Sequence, residues 1–111
     1  MKTSELLKSS RQYVWDGVGM PTYCQTSFLC VAVGMAAGDF IEKDESCRDA
    51  IGALANKAHD RILERLDTCT SVSQWLFKNS PSCTWPQAVT AQRERLKWLA
   101  ELIAEFEAKG D

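Results

Sequence analysis

Chemistry in this chain would have to be assembled from few parts. Five cysteines (Cys24, Cys30, Cys47, Cys69 and Cys83) and one histidine, His59, supply all its thiols and imidazoles. A thiol nucleophile needs a base beside it and a third group to orient that base. His59, next to Asp60, is the only imidazole that can serve. Zinc needs ligands at short spacing, such as Cys-x2–4-Cys, and the five residues between Cys24 and Cys30 exceed it. An odd set of thiols with no Cys-x-x-Cys pair reads as reduced, packed side chains, because free cysteine is among the most buried residue types. Cys30, between Leu29 and Val31 in the most apolar stretch, is expected in the core.

Carboxylate pairs are the other route to catalysis. Glu101 and Glu105 lie one helical turn apart, as do Asp60 and Glu64. Bundle metal sites use an inward Glu-x-x-His unit; none occurs here, and these acids read as solvated charge on helix exteriors. The segment from Asp39 to Glu45 lacks the ligand offsets, central glycine and closing glutamate of a calcium loop. Gly17-Val18-Gly19 lacks the lysine of a phosphate loop. Arg93, Arg95 and Lys97 gather near Trp98, but Glu94 and Glu101 dilute them and Arg95 leaves the face that Arg93 and Lys97 share. Nucleic acid is therefore disfavoured. The expectation is a non-catalytic protein with no cofactor and no metal. A small thiol- or metal-dependent enzyme using Cys24, Cys30 or His59 is one alternative, and a nucleic-acid binder working through Arg93 and Lys97 is the other.

The 111 residues fit one domain, and 45% hydrophobic with 25% charged residues is the balance of a globular chain. Thirteen basic against fifteen acidic residues leave a net charge of −2, which excludes a strongly basic nucleic-acid coat and a heavily acidic DNA mimic. The opening MKTSELLKSS has no apolar signal-peptide core. The most apolar stretch, Phe28 to Ala37, is ten residues long, against the ~20 that a bilayer crossing needs. A cytoplasmic location is expected.

Helical periodicity organises these residues into an all-α fold, a compact bundle of four or five helices. Leu6, Leu7, Ser10, Tyr13 and Val14 make one face of a first helix that Thr3 or Ser4 caps, and Gly17, Gly19 and Pro21 end it. A second helix starts at Thr26 or Ser27. It is apolar on every side through Ala36, which predicts a place in the middle of the fold. Gly34 and Gly38, four residues apart, would let another helix approach closely, at a cost in helix propensity. Asp39 to Glu45 reads as an acidic hinge. Ser46 with Asp49 resembles a capping box for a third helix, whose stripe is Cys47, Ile51, Leu54, Ala55, Ala58, Ile62 and Leu66. A short element spans Val72 to Phe77. Thr84, Pro86 and Gln87 open the last helix, its seam runs Val89, Leu96, Leu99, Ile103, Phe106, and Gly110 closes it.

On that last helix Trp98, Ala91 and Leu102 form a second apolar strip, with Arg95 beside it. The seam already supplies a full core face, and tryptophan is enriched among interface anchors. The strip either widens the core contact within the monomer or forms an interface. On the second, preferred reading, Ala91, Arg95, Trp98 and Leu102 are expected to bind a protein partner, from the host or from a virus, or a second copy of the chain. No membrane partner is expected.

The order of elements resembles a family of small phage and bacterial proteins of unknown function. That family has a Leu-rich opening helix, a Cys-containing apolar helix of the type Trp-Cys-Ala-x-Gly-Ala, and a Trp-Asn-Asp…Thr-His segment before its final helix. Ser4 to Val14, then Phe28-Leu29-Cys30-Val31-Ala32-Val33-Gly34, then Asn79-Ser80-Pro81 through Thr84-Trp85 to Val89 are the matching stretches. Ser80 stands in place of the family's Asp, Trp85 in place of its His, and the spacing is shorter by one. The resemblance implies a phage-type accessory protein, such as one that inhibits or modulates a host defence protein.

Overall fold

The computed structural model describes residues 1–16, 25–64 and 85–111. Among them are four α-helices and no strand: α1 (Thr3–Asp16), α2 (Gln25–Lys43), α3 (Arg48–Leu63) and α4 (Trp85–Ala108). A 3-10 turn, Glu45–Cys47, joins α2 to α3. The all-α expectation holds. The short element expected at Val72 to Phe77 lies outside the described residues, as do Gly17, Gly19, Pro21, Leu66 and Thr84.

Helix α1 packs against all three other helices. Its stripe of Leu6, Leu7, Ser10 and Val14 is buried, and the Ser10 hydroxyl is satisfied by donating to the Leu7 carbonyl at 2.6 Å. The start of this central helix needs partners for its free N–H groups. Neither Thr3 nor Ser4 caps it, contrary to the sequence expectation; both lie inside the first turn and are buried. Their N–H groups point instead at Asp111. Thr3 N–H donates to Asp111 Oδ1 at 3.1 Å and Ser4 N–H to the Asp111 carbonyl at 2.9 Å. The Thr3 hydroxyl reaches Asp111 Oδ2 at 3.0 Å, and the Ser4 hydroxyl reaches the Asp111 carbonyl at 2.9 Å.

The C-terminal turn of α4 delivers that carboxylate. Gly110 takes the left-handed conformation (φ +77°) that a glycine adopts without a Cβ penalty. Gly110 N–H then donates to the Glu107 carbonyl at 3.0 Å and Asp111 N–H to the Phe106 carbonyl at 2.9 Å, the paired bonds of a Schellman motif. The stop expected at Gly110 is borne out. Lys57 of α3 donates to Asp111 Oδ2 at 3.2 Å, and Lys8 pairs with Glu107 at 2.6 Å. Helices α1 and α4 are thus antiparallel and tied where the start of α1 meets the end of α4.

Helix α2 does not stop at Asp39. It continues to Lys43, so the expected acidic hinge is its last turn and a half. Phe40 and Ile41 are half-buried against the core, and this apolar continuation keeps the helix going. Asp44 marks the break and caps the 3-10 turn, accepting from Ser46 N–H at 3.1 Å and the Ser46 hydroxyl at 2.6 Å. The Ser46–Asp49 capping box does not form, because Ser46 is spent within that turn. Helix α3 buries Ile51, Ala55, Ala58 and Ile62, as its periodicity predicts.

The second strip of α4 is also core. Trp98 is 4% exposed, and Leu102 and Arg95 are fully buried, so these residues do not form the free partner surface expected from sequence. Ala91 lies in α4, and its side chain is outside the described residues. The reason is geometric. At 100° per residue, Leu102 stands about 60° from Leu99, with Arg95 and Phe106 in the same sector. The two strips merge into one wide face. Leu96, counted in the seam, is only half-buried.

Two predictions follow from this packing. Trp98→Ala should cost ~3–5 kcal/mol of folding stability in urea denaturation, with no change in oligomeric mass by light scattering. The Asp111 carboxyl is held below the ordinary carboxylate range, first by the Thr3 N–H and next by the Lys57 ammonium. A depressed carboxyl stabilises the fold above its unfolded value and ceases to do so as pH falls through its folded value. Asp111→Asn should therefore melt lower than the parent at pH 7, and the gap should close once the pH drops below the ordinary carboxylate range.

Candidate functional site

The residues singled out for chemistry are placed apart or paired structurally. His59, half-buried on α3, donates its Nε2–H to the carbonyl of Cys30 on α2 at 3.1 Å. The imidazole thus meets the Cys30 backbone and links two helices. The Cys30 side chain is half-buried at the core margin rather than enclosed by it, and desolvation raises its thiol above the usual range. A raised thiol carries less thiolate at neutral pH and is a weaker nucleophile in practice. Cys47 donates its S–H to the Asp44 carbonyl at 2.8 Å, at the α2–α3 junction. Cys24, Cys69 and Cys83 lie outside the described residues.

One member of each carboxylate pair, Glu105 and Glu64, is engaged by the same arginine. Arg61 grips Glu105 with two bonds, Nε at 2.8 Å and Nη2 at 3.0 Å, and reaches Glu64 at 3.2 Å. This bidentate clamp ties α3 to α4. Among the described residues, no group of three or more His, Cys, Asp or Glu is placed to hold a metal ion. No described helix is long and apolar enough to cross a membrane. Of the basic run, Arg93 and Lys97 are exposed and Arg95 is buried, so the three do not form one patch.

The outer face of α2 is the feature that the fold leaves unexplained. A helix read as apolar all round was expected in the middle of the bundle. Instead it buries Leu29, Ala32, Val33, Ala36 and Ala37 and turns Val31, Gly34, Met35, Gly38 and Glu42 outward. Val31 is 61% and Met35 49% exposed. Apolar side chains one turn apart form a continuous strip on a helix surface. A Cβ built on Gly34 or Gly38 would meet no atom of the described residues within 4 Å. Glycine in a helix interior costs ~0.5–1 kcal/mol relative to alanine, and no contact within the described chain requires either one.

On the α1 side this strip borders a cleft of about 480 Å3, lined by Gln12, Tyr13, Asp39, Glu42 and Lys43. The Tyr13 hydroxyl donates to Asp39 Oδ2 and joins the two helices at the cleft floor. Tyr13 was assigned to the core face of α1 by periodicity; it is half-buried, with its polar tip at this cleft. The sequence signal for the site was the Gly34–Gly38 spacing, and nothing in the sequence said which way it faced.

The chain matches no protein-family profile, and it resembles no curated protein and no solved structure significantly. The surface itself must therefore carry the functional reading.

Because both glycines are helical, uncrowded and of ordinary φ, Gly34→Ala and Gly38→Ala should each raise stability by ~0.4–1 kcal/mol. Chemical denaturation of the two variants measures this. A loss of stability in either would mean that its Cβ meets something in the folded chain.

Proposed function

We propose that this chain is a non-catalytic protein-binding module and that the outer face of α2 is its docking surface. The observation that carries the reading is the exposure of Val31 and Met35 beside two glycines that nothing among the described residues crowds. Methionine is enriched at interfaces, and its flexible thioether adapts to a partner's contours. Glycines four apart allow a partner helix to approach to backbone distance, which is a use for residues that only weaken α2 in isolation.

The position of His59 supports a structural rather than catalytic role for it, since its Nε2–H is engaged by the Cys30 carbonyl. The phage-type resemblance supports an accessory protein that modulates a host or viral protein, and the near-neutral charge of −2 fits a protein partner better than nucleic acid.

The test is differential capture from the cells that encode the chain. Met35→Glu places a charge on the strip without touching the core. Ala53→Glu, on an exposed position of α3, is the control. A partner captured by the parent should bind the Met35 variant at least tenfold more weakly and the Ala53 variant equally well. Equal binding by the parent and the Met35 variant would overturn the reading.

A further inference from the structure

The chemistry around the α2 strip also specifies what kind of partner fits it; this inference rests on the docking reading above. We infer that the occupant is a helix of a partner protein that presents a small-residue face to Gly34 and Gly38 and places a Lys or Arg side chain in the neighbouring cleft.

Three features converge on the cation. The strip is apolar at Val31 and Met35 and becomes acidic toward its C-terminal end, where Asp39 and Glu42 line the cleft with a single Lys43 against them. Two carboxylates and one ammonium leave that wall one charge negative. The cleft also lies at the C-terminal end of α2, where the unpaired carbonyls of a helix carry partial negative charge and favour a cation. Finally, the cleft is concave and holds the non-ionic polar groups of Gln12 and Tyr13, so an arriving ammonium or guanidinium finds acceptors other than the two acids.

The distance sets the register. Asp39 and Glu42 lie three and six residues beyond the midpoint of Gly34 and Gly38, roughly 5–9 Å along the helix axis at 1.5 Å per residue. A partner helix lying along α2 therefore carries its basic residue one to two turns from its small-residue contact. Charge complementarity of this kind fixes register and speeds encounter more than it adds affinity.

A second copy of this chain fits poorly. Pairing two α2 strips around their glycines in antiparallel fashion sets position 42 opposite position 30, a cysteine, and parallel pairing sets Glu42 against Glu42. The first brings no cation to the acidic end, and the second brings Lys43 only together with a second Glu42.

A display library of helical peptides, randomised on one face and sorted against the full chain, tests the inference. Clones that bind the parent but not Met35→Glu report on the strip. Among these, Lys or Arg should be enriched one to two turns from an Ala or Gly position. Their affinity should fall about twofold to fivefold for Glu42→Gln, as for an exposed ion pair, and further for Glu42→Lys, with circular dichroism unchanged. Face-dependent clones with no basic preference, or with affinity indifferent to Glu42, would overturn the cation inference and leave the docking face standing. A library that yields no Met35-sensitive clone would overturn the docking face as well. A chain that sediments as a dimer dissociated by Met35→Glu would assign the strip to a second copy and overturn the inference.

Discussion

The fold depends on the way one carboxylate, Asp111, closes the start of α1. That helix, like α2, touches every other helix, and it alone packs extensively against both α2 and α4. Its first turn has buried N–H groups and buried hydroxyls, each of which needs a partner once water is excluded. Asp111 satisfies Thr3 and Ser4 at once and draws in Lys57 from α3. One residue thereby brings α1, α3 and α4 to a point. The Lys8–Glu107 pair and the Arg61–Glu105 clamp hold the same three helices further along. These outer pairs are partly exposed and of modest worth individually, but they specify which faces meet.

Helix α2 also touches every other helix, yet it keeps one apolar face outside these contacts. A segment with apolar residues on all sides buries one face against α1 and α3, with a small contact to α4. The opposite face is left with Val31, Met35 and two glycines. A chain optimised for stability alone would carry alanine at the glycines and polar residues at Val31 and Met35. Retaining weaker choices at four neighbouring surface positions is economical if a partner covers them.

What could be read from the sequence divides along physical lines. The α3 stripe was legible because Ile51, Ala55, Ala58 and Ile62 recur with the helical period and face charged residues, which fixes both helix and face. Gly110 was legible because a left-handed stop is a local property. The α1 cap was not, since its acceptor lies 108 residues away and no local pattern announces it. For α4, Arg95 in the middle of an apolar sector made one wide face look like two, because charge in a stripe reads as solvent. For α2 the periodicity was silent. Val31 and Met35 are as apolar as Leu29 and Val33, and only the packing against α1 and α3 decides which of them are covered.

The proposed working surface of this protein is the outer face of α2. Methyl resonances of methionine report on it directly, since Met35 sits on that face and Met1, also exposed, lies outside it. In a chain labelled at the methionine methyl carbons and titrated with the partner that it captures, the Met35 signal should shift or broaden in proportion to complex formed while the Met1 signal stays in place. Saturation of the complex with the Met35 signal unmoved would contradict the account.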